Sequence, residues 1–203
     1  MRHPEALGRT WIITGGLCGI AAILAYFGAA FLPLPVRPAQ VLAFAFGPLV
    51  AIASLGLVHA VEQGTPRVGT RIAGFLGASA GVTVLAMLTV QQALFAAYGR
   101  LPESDPFRTA LMDVGSAVHF GLDIAWDCLI AASITLFAIQ LWRLSAFAKA
   151  LSLTGTLCGT LLFGINMAAF PDPPDSVGML DMGPFCALWM LVVYGWMTAR
   201  ARQ

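Results

Sequence analysis

The stretch VHFGLDIAWDCLIAASITLFAIQL, Val118 to Leu141, decides how the rest of the chain is read. It is apolar for long enough to cross a hydrocarbon core, which takes about 20 residues of helix. Within it stand His119, Asp123 and Asp127 at intervals of four. That spacing puts all three on one helical face, and a rise of about 1.5 Å per residue sets Asp127 roughly 12 Å deeper than His119. A carboxylate at the bilayer centre costs about 2.5–3.5 kcal/mol even on the gentler insertion scale. Asp127 is therefore expected to face the bundle interior or an aqueous cavity.

Comparable apolar runs lie on both sides of this one. Trp11 to Phe31, Val41 to Val61, Ile72 to Phe95, Phe147 to Ala169 and the shorter Gly183 to Met197 complete a set of six expected transmembrane helices. The first follows Arg2 and Arg9 as a secretory signal would, but the repetition of similar runs reads it as a resident helix. The composition agrees: 59% of residues are hydrophobic and 10% charged, against roughly 45–50% and about 25% in soluble domains. With no tandem repeat or low-complexity tail, residues 1–203 read as a single transmembrane domain.

The connections divide by charge. LPLPVRPAQ is Pro-rich, and each Pro fixes its own φ and removes a donor, so the first helix ends there. YGRLPESDPFRTALMDVGS suits a short interfacial helix near Phe107 to Asp113, its X-Pro steps arguing against one long helix. Arg2, Arg9, Arg67, Arg71, Arg143, Lys149, Arg200 and Arg202 fall at one end of the bundle, and Arg37, Arg100 and Arg108 at the other. Positive residues favour the cytoplasmic side, so both termini are expected inside. The outer loops then carry Glu103, Asp105, Asp113, Asp172, Asp175 and Asp181, an acidic face able to attract cations.

Small residues recur at spacings of four: Gly15 and Gly19, Gly74 and Ala78, Gly77 and Gly81, Gly155 and Gly159. Such pairs let helices approach closely in lipid. They suit packing within one bundle and also a homodimer contact. Pro48 is expected to bend the second helix or loosen its hydrogen bonding.

Two carboxyls one turn apart can share protons, one acting as acid and the other as base, with His119 as a relay to the outer aqueous phase. Gln91 and Gln92 in the third segment and Asn166 in the fifth lie at similar depth and can join that face in one polar cavity. Trp126 and Trp189 are too deep for an interfacial belt and can line such a pocket. The competing reading makes all of these polar groups interhelical glue.

Several chemistries lack a starting point. HExxH, P-loop and GxGxxG patterns are absent. His119 and Asp127 are too far apart along one helix for one simple coordination shell, so neither a metal nor another cofactor is expected. Cys18, Cys128, Cys158 and Cys186 all lie in apolar runs and suggest no disulfide framework. No stretch gathers enough Lys or Arg to follow a phosphate backbone, which argues against nucleic acid.

In GLDIAWD at Gly121 to Asp127, NMAAFPDPP at Asn166 to Pro174 and the last apolar run around Trp189, the chain resembles small bacterial multi-pass membrane proteins of unassigned function. The resemblance implies a bacterial inner membrane location and transfers no catalytic assignment. The type of site is similar to that of membrane-embedded isomerases and terpene cyclases, by analogy alone. Three functions stay open. The first is binding, or acid–base transformation, of a small lipophilic ligand by Asp127, Asp123 and His119, with Trp126, Asn166, Gln91, Gln92 and Trp189 around it. The others are proton- or cation-coupled transport, and a non-catalytic assembly or sensor role.

Overall fold

The computed structural model describes residues 4–63 and 65–202; Arg2, counted above in the basic set, lies outside them. Among the described residues the fold is an all-α bundle of α1 (Pro4–Phe31), α2 (Val36–Glu62), α3 (Val68–Tyr98), α4 (Phe107–Leu141), α5 (Ala146–Ala169) and α6 (Gly183–Ala201). By length and hydropathy α1 to α5 can each cross a membrane. Helix α6 has 19 residues, or about 28 Å. Trp189, Tyr194, Trp196 and Arg200 lower its hydropathy, and it falls short of the same standard.

Helix ends follow local chemistry. Ser145 caps α5 by accepting the Ala148 N–H at 3.2 Å. Asp181 accepts the Gly183 N–H at 2.7 Å, and Pro184 occupies the first turn of α6, where its missing donor costs nothing. Glu62 closes α2 and opens α3 together, accepting the Arg67 N–H at 2.9 Å and pairing with Arg71 at 3.2 Å. The separate interfacial helix expected at Phe107 to Asp113 does not exist. Pro102 and Pro106 both precede the helix and neither interrupts it, so those residues are the first turns of a long α4. Helix α2 continues through Pro48.

Residue pairings establish an up-down arrangement. Trp11 stacks on His59 at one end of α1 and α2, while Tyr26 meets Phe46 nearer the other. Gln40 bonds Gln92 near one end of α2 and α3, and Glu62 bonds Arg67 at the other. Ser133 of α4 donates to the Ala73 carbonyl of α3 at 2.8 Å. Trp189 and Cys186 of α6 reach the carbonyls of Leu151 and Cys158 of α5 in reversed order. Helix α6 also runs against α1, which closes the sequence of neighbours into a ring.

Close approach depends on small residues in this bundle. A Cβ on Gly15 would come within 2.6 Å of the Gly56 Cα, so α1 and α2 touch backbone to backbone there. Gly81 faces Gly47 of α2, Gly77 faces Ser54 and Ser133, and Gly155 lies beneath the Trp189 ring. The faces that suited a homodimer are thus occupied by neighbouring helices of the same chain. Outside the ring the surface remains apolar: Phe75, Val82, Leu153, Leu157 and Leu188 are all exposed. A soluble bundle would place polar residues there, whereas lipid accepts these side chains.

Candidate functional site

All six helices contribute to a central chamber of about 280 Å³. Its walls come largely from apolar and aromatic side chains, including Ile23 and Tyr26 of α1, Phe46 of α2 and Trp126 of α4. Asp123 and Asp127, one turn apart on α4, line it, and Asp181 joins them from the segment leading into α6. A wider vestibule of about 850 Å³ adjoins the chamber toward the end bearing the α1–α2 and α3–α4 connections. The two spaces share Tyr26, Phe46, Met87, Leu88 and Asp123, so Asp123 stands at their junction with Asp127 deeper.

Asp127 is held from behind. Asn166 of α5, which is 2% exposed, donates from Nδ2 to Asp127 Oδ2 at 2.9 Å. The same nitrogen donates to the Leu162 carbonyl one turn earlier in α5, also at 2.9 Å. An amide nitrogen has two hydrogens, and here each has an acceptor. The carboxyl is thereby oriented through one oxygen while Oδ1 accepts from no protein group among the described residues.

The remaining expected residues separate into two groups. His119, Gln91 and Gln92 line the vestibule with Asp123. Gln92 accepts from Gln40 at 2.7 Å, which ties α2 to α3 across that space. His119 Nδ1 is buried with no hydrogen-bond partner. Gln91 and His119 also line a side cavity of about 110 Å³ between α3 and α4. Trp126 lines the chamber and meets Phe46 edge-on at 5.5 Å.

Trp189 does not line either space. Its indole N–H donates to the Leu151 carbonyl at 2.9 Å and its ring fills the room left by Gly155, so it packs α6 on α5. The expectation that it faces the same pocket as Trp126 is corrected on that geometry. Directly below the chamber the helices pack closely, with a void of only about 10 Å³ among Ser54, Ser133, Trp189 and Tyr194, and a separate pocket of about 230 Å³ lies at the far end among Ile12, Ala60, Gln63, Trp196 and Arg200.

Sequence reasoning missed Tyr26, Gln40, Phe46 and Asp181 as members of the site. Asp181 looked like one of several outer-loop acids, and nothing in its spacing marks it for the chamber. The signal for Tyr26 was a phenol well inside an apolar run, a group that usually finds a polar neighbour when buried. Among the described residues no group of three His, Cys, Asp or Glu side chains is disposed to hold a metal ion. No family model, curated protein or solved structure matches the chain, so the reading of this site rests on its own geometry.

Proposed function

We propose that this protein crosses a bacterial inner membrane six times, with both termini cytoplasmic, and binds a small lipophilic ligand in the chamber around Asp123 and Asp127. The carrying observation is the placement of two half-buried carboxyls on the wall of an otherwise mainly apolar space built by every helix. Small-molecule sites have this character: apolar walls with a few fixed polar groups. Asp127 is the oriented group, and Asp123 meets whatever passes from the vestibule. The pair also offers an acid and a base to a bound ligand, so proton transfer is available to the same site.

Six crossings rather than five are supported by α6 lying against both α1 and α5, with its buried face running from Cys186 to Thr198. The closely packed layer of Ser54, Ser133, Trp189 and Tyr194 between the chamber and the pocket at the far end favours a one-sided site over an open channel.

The test is chemical. The wild type and an Ala43→Trp variant, which narrows the vestibule at a half-buried position, are purified in native lipid. Small molecules carried by each are then compared by mass spectrometry. A hydrophobic compound held by the wild type and lost from the variant is expected; identical profiles from two folded proteins would sink the proposal.

A further inference from the structure

Three carboxyls, those of Asp123, Asp127 and Asp181, line the inner chamber, and no Lys, Arg or His lines it among the described residues. Asn166 supplies one neutral hydrogen bond and no charge. Carboxylates withdrawn from water need a counter-charge or a proton. This bundle provides no basic side chain on the chamber wall, so a carboxylate there is balanced either by a proton or by a cation that enters from outside.

The shape of the chamber selects among cations. A small inorganic ion needs several oxygens converging at about 2–2.6 Å, and no such group of carboxyls exists here among the described residues. The walls instead carry aromatic rings in sequence: Tyr26 lies 5.5 Å from Phe46, and Phe46 lies 5.5 Å from Trp126. Ring faces attract weakly hydrated cations within about 6 Å of their centroids, and rings beside carboxylates suit an ammonium whose substituents are apolar. The acidic connections at the same end, with Glu103, Asp105, Asp172 and Asp175, would raise the local concentration of such a cation.

We propose that the chamber is a site for a small organic cation, an ammonium group bearing apolar substituents, seated between the Tyr26–Phe46–Trp126 rings and the carboxyls of Asp123 and Asp127. This names the chemical class of the ligand and rests on the binding function proposed above. The vestibule, with Gln91, Gln92 and His119, is its route from the acidic end.

A matched pair of probes separates charge from shape. (3-Hydroxyphenyl)trimethylammonium and 3-tert-butylphenol have nearly the same outline and differ in charge. Each is titrated calorimetrically into the full chain in lipid nanodiscs, with empty nanodiscs as the reference. The cation is expected to bind saturably and at least about tenfold more tightly than the neutral phenol. Asp127→Asn and Trp126→Leu are each expected to weaken it by about tenfold, a loss in the range of a desolvated cation–ring contact. Trp126→Leu is the second variant in case Asp127→Asn disturbs folding.

Equal affinity for the two probes overturns the cation proposal while leaving a ligand site in place. Saturable binding of neither overturns it as well, and the co-purification comparison with Ala43→Trp then decides the broader binding function independently. Cation binding that survives both substitutions places the site elsewhere and overturns the assignment to this chamber.

Discussion

Asn166 divides its amide between two helices, donating to Asp127 of α4 and to the Leu162 carbonyl of its own helix, each at 2.9 Å. Both hydrogens of the nitrogen are used, so the α4–α5 interface fixes the orientation of a carboxyl that lines the central chamber. One contact therefore serves packing and site geometry together. The experimental question is how much it contributes to each.

A double-mutant cycle on Asn166→Ala and Asp127→Ala measures the packing share. Interhelical hydrogen bonds in membranes average about 0.6 kcal/mol with a maximum near 1.7 kcal/mol, because the separated helices find other partners. A coupling in that range is expected from reversible unfolding in mixed micelles. Strict additivity of the two substitutions would show that the bond holds nothing together.

The two deep tryptophans are expected to answer different assays. Trp189→Phe keeps a ring over Gly155 and deletes the N–H that reaches Leu151, so it should lower stability by about 1 kcal/mol. Binding of (3-hydroxyphenyl)trimethylammonium should be unchanged, since Trp189 does not line the chamber. Trp126→Leu should weaken that binding with a smaller effect on stability. If Trp189→Phe alone abolished binding, the division drawn between these residues would be wrong.

Much of the architecture was legible from residue type. Five long runs and a short sixth give all six helices and their C-terminal ends within about four residues, because a hydrocarbon core leaves little freedom in length or polarity, while α1 and α4 begin well before the apolar runs do. The face His119–Asp123–Asp127 was legible for the same reason, since acids are tolerated at such depth only when turned inward. The long α4 was not, because the X-Pro steps before Phe107 restrict the residues preceding a helix and do not say whether the following one is separate. Asp181 and Trp189 changed places as site members for a reason that a single chain conceals. Whether an acid near a helix start turns into a chamber, or an indole turns to a neighbouring carbonyl, depends on which helices pack together.

Close helix contact at Gly56 gives a sharper stability test than the polar residues do. Gly56→Ala would drive a methyl to 2.6 Å from the Gly15 Cα, where backbone rather than a flexible side chain must yield. Destabilisation of about 1–3 kcal/mol is expected, as for overpacked cores. Gly121→Ala, on the same kind of helix but with open space around its Cβ, should fall within about 0.5 kcal/mol of wild type. Equal effects from the two would remove the argument that backbone contact between α1 and α2 stabilises the bundle.

The orientation in the membrane is open to a direct labelling experiment. In a background with Cys18, Cys128, Cys158 and Cys186 replaced by Ser, single cysteines are placed at Glu103, Asp175, Ser145 and Arg202. An impermeant maleimide added to intact cells should label positions 103 and 175, at the acidic end, and reach 145 and 202 only after permeabilisation. Positions 175 and 202 bracket α6, so their opposite behaviour would also establish that this short helix crosses the membrane. Labelling of both from outside would leave five crossings and place the last helix at the surface. A full reversal of the pattern would keep six crossings but turn the chamber mouth toward the cytoplasm, where any organic cation would have to be drawn from metabolism rather than from the surroundings.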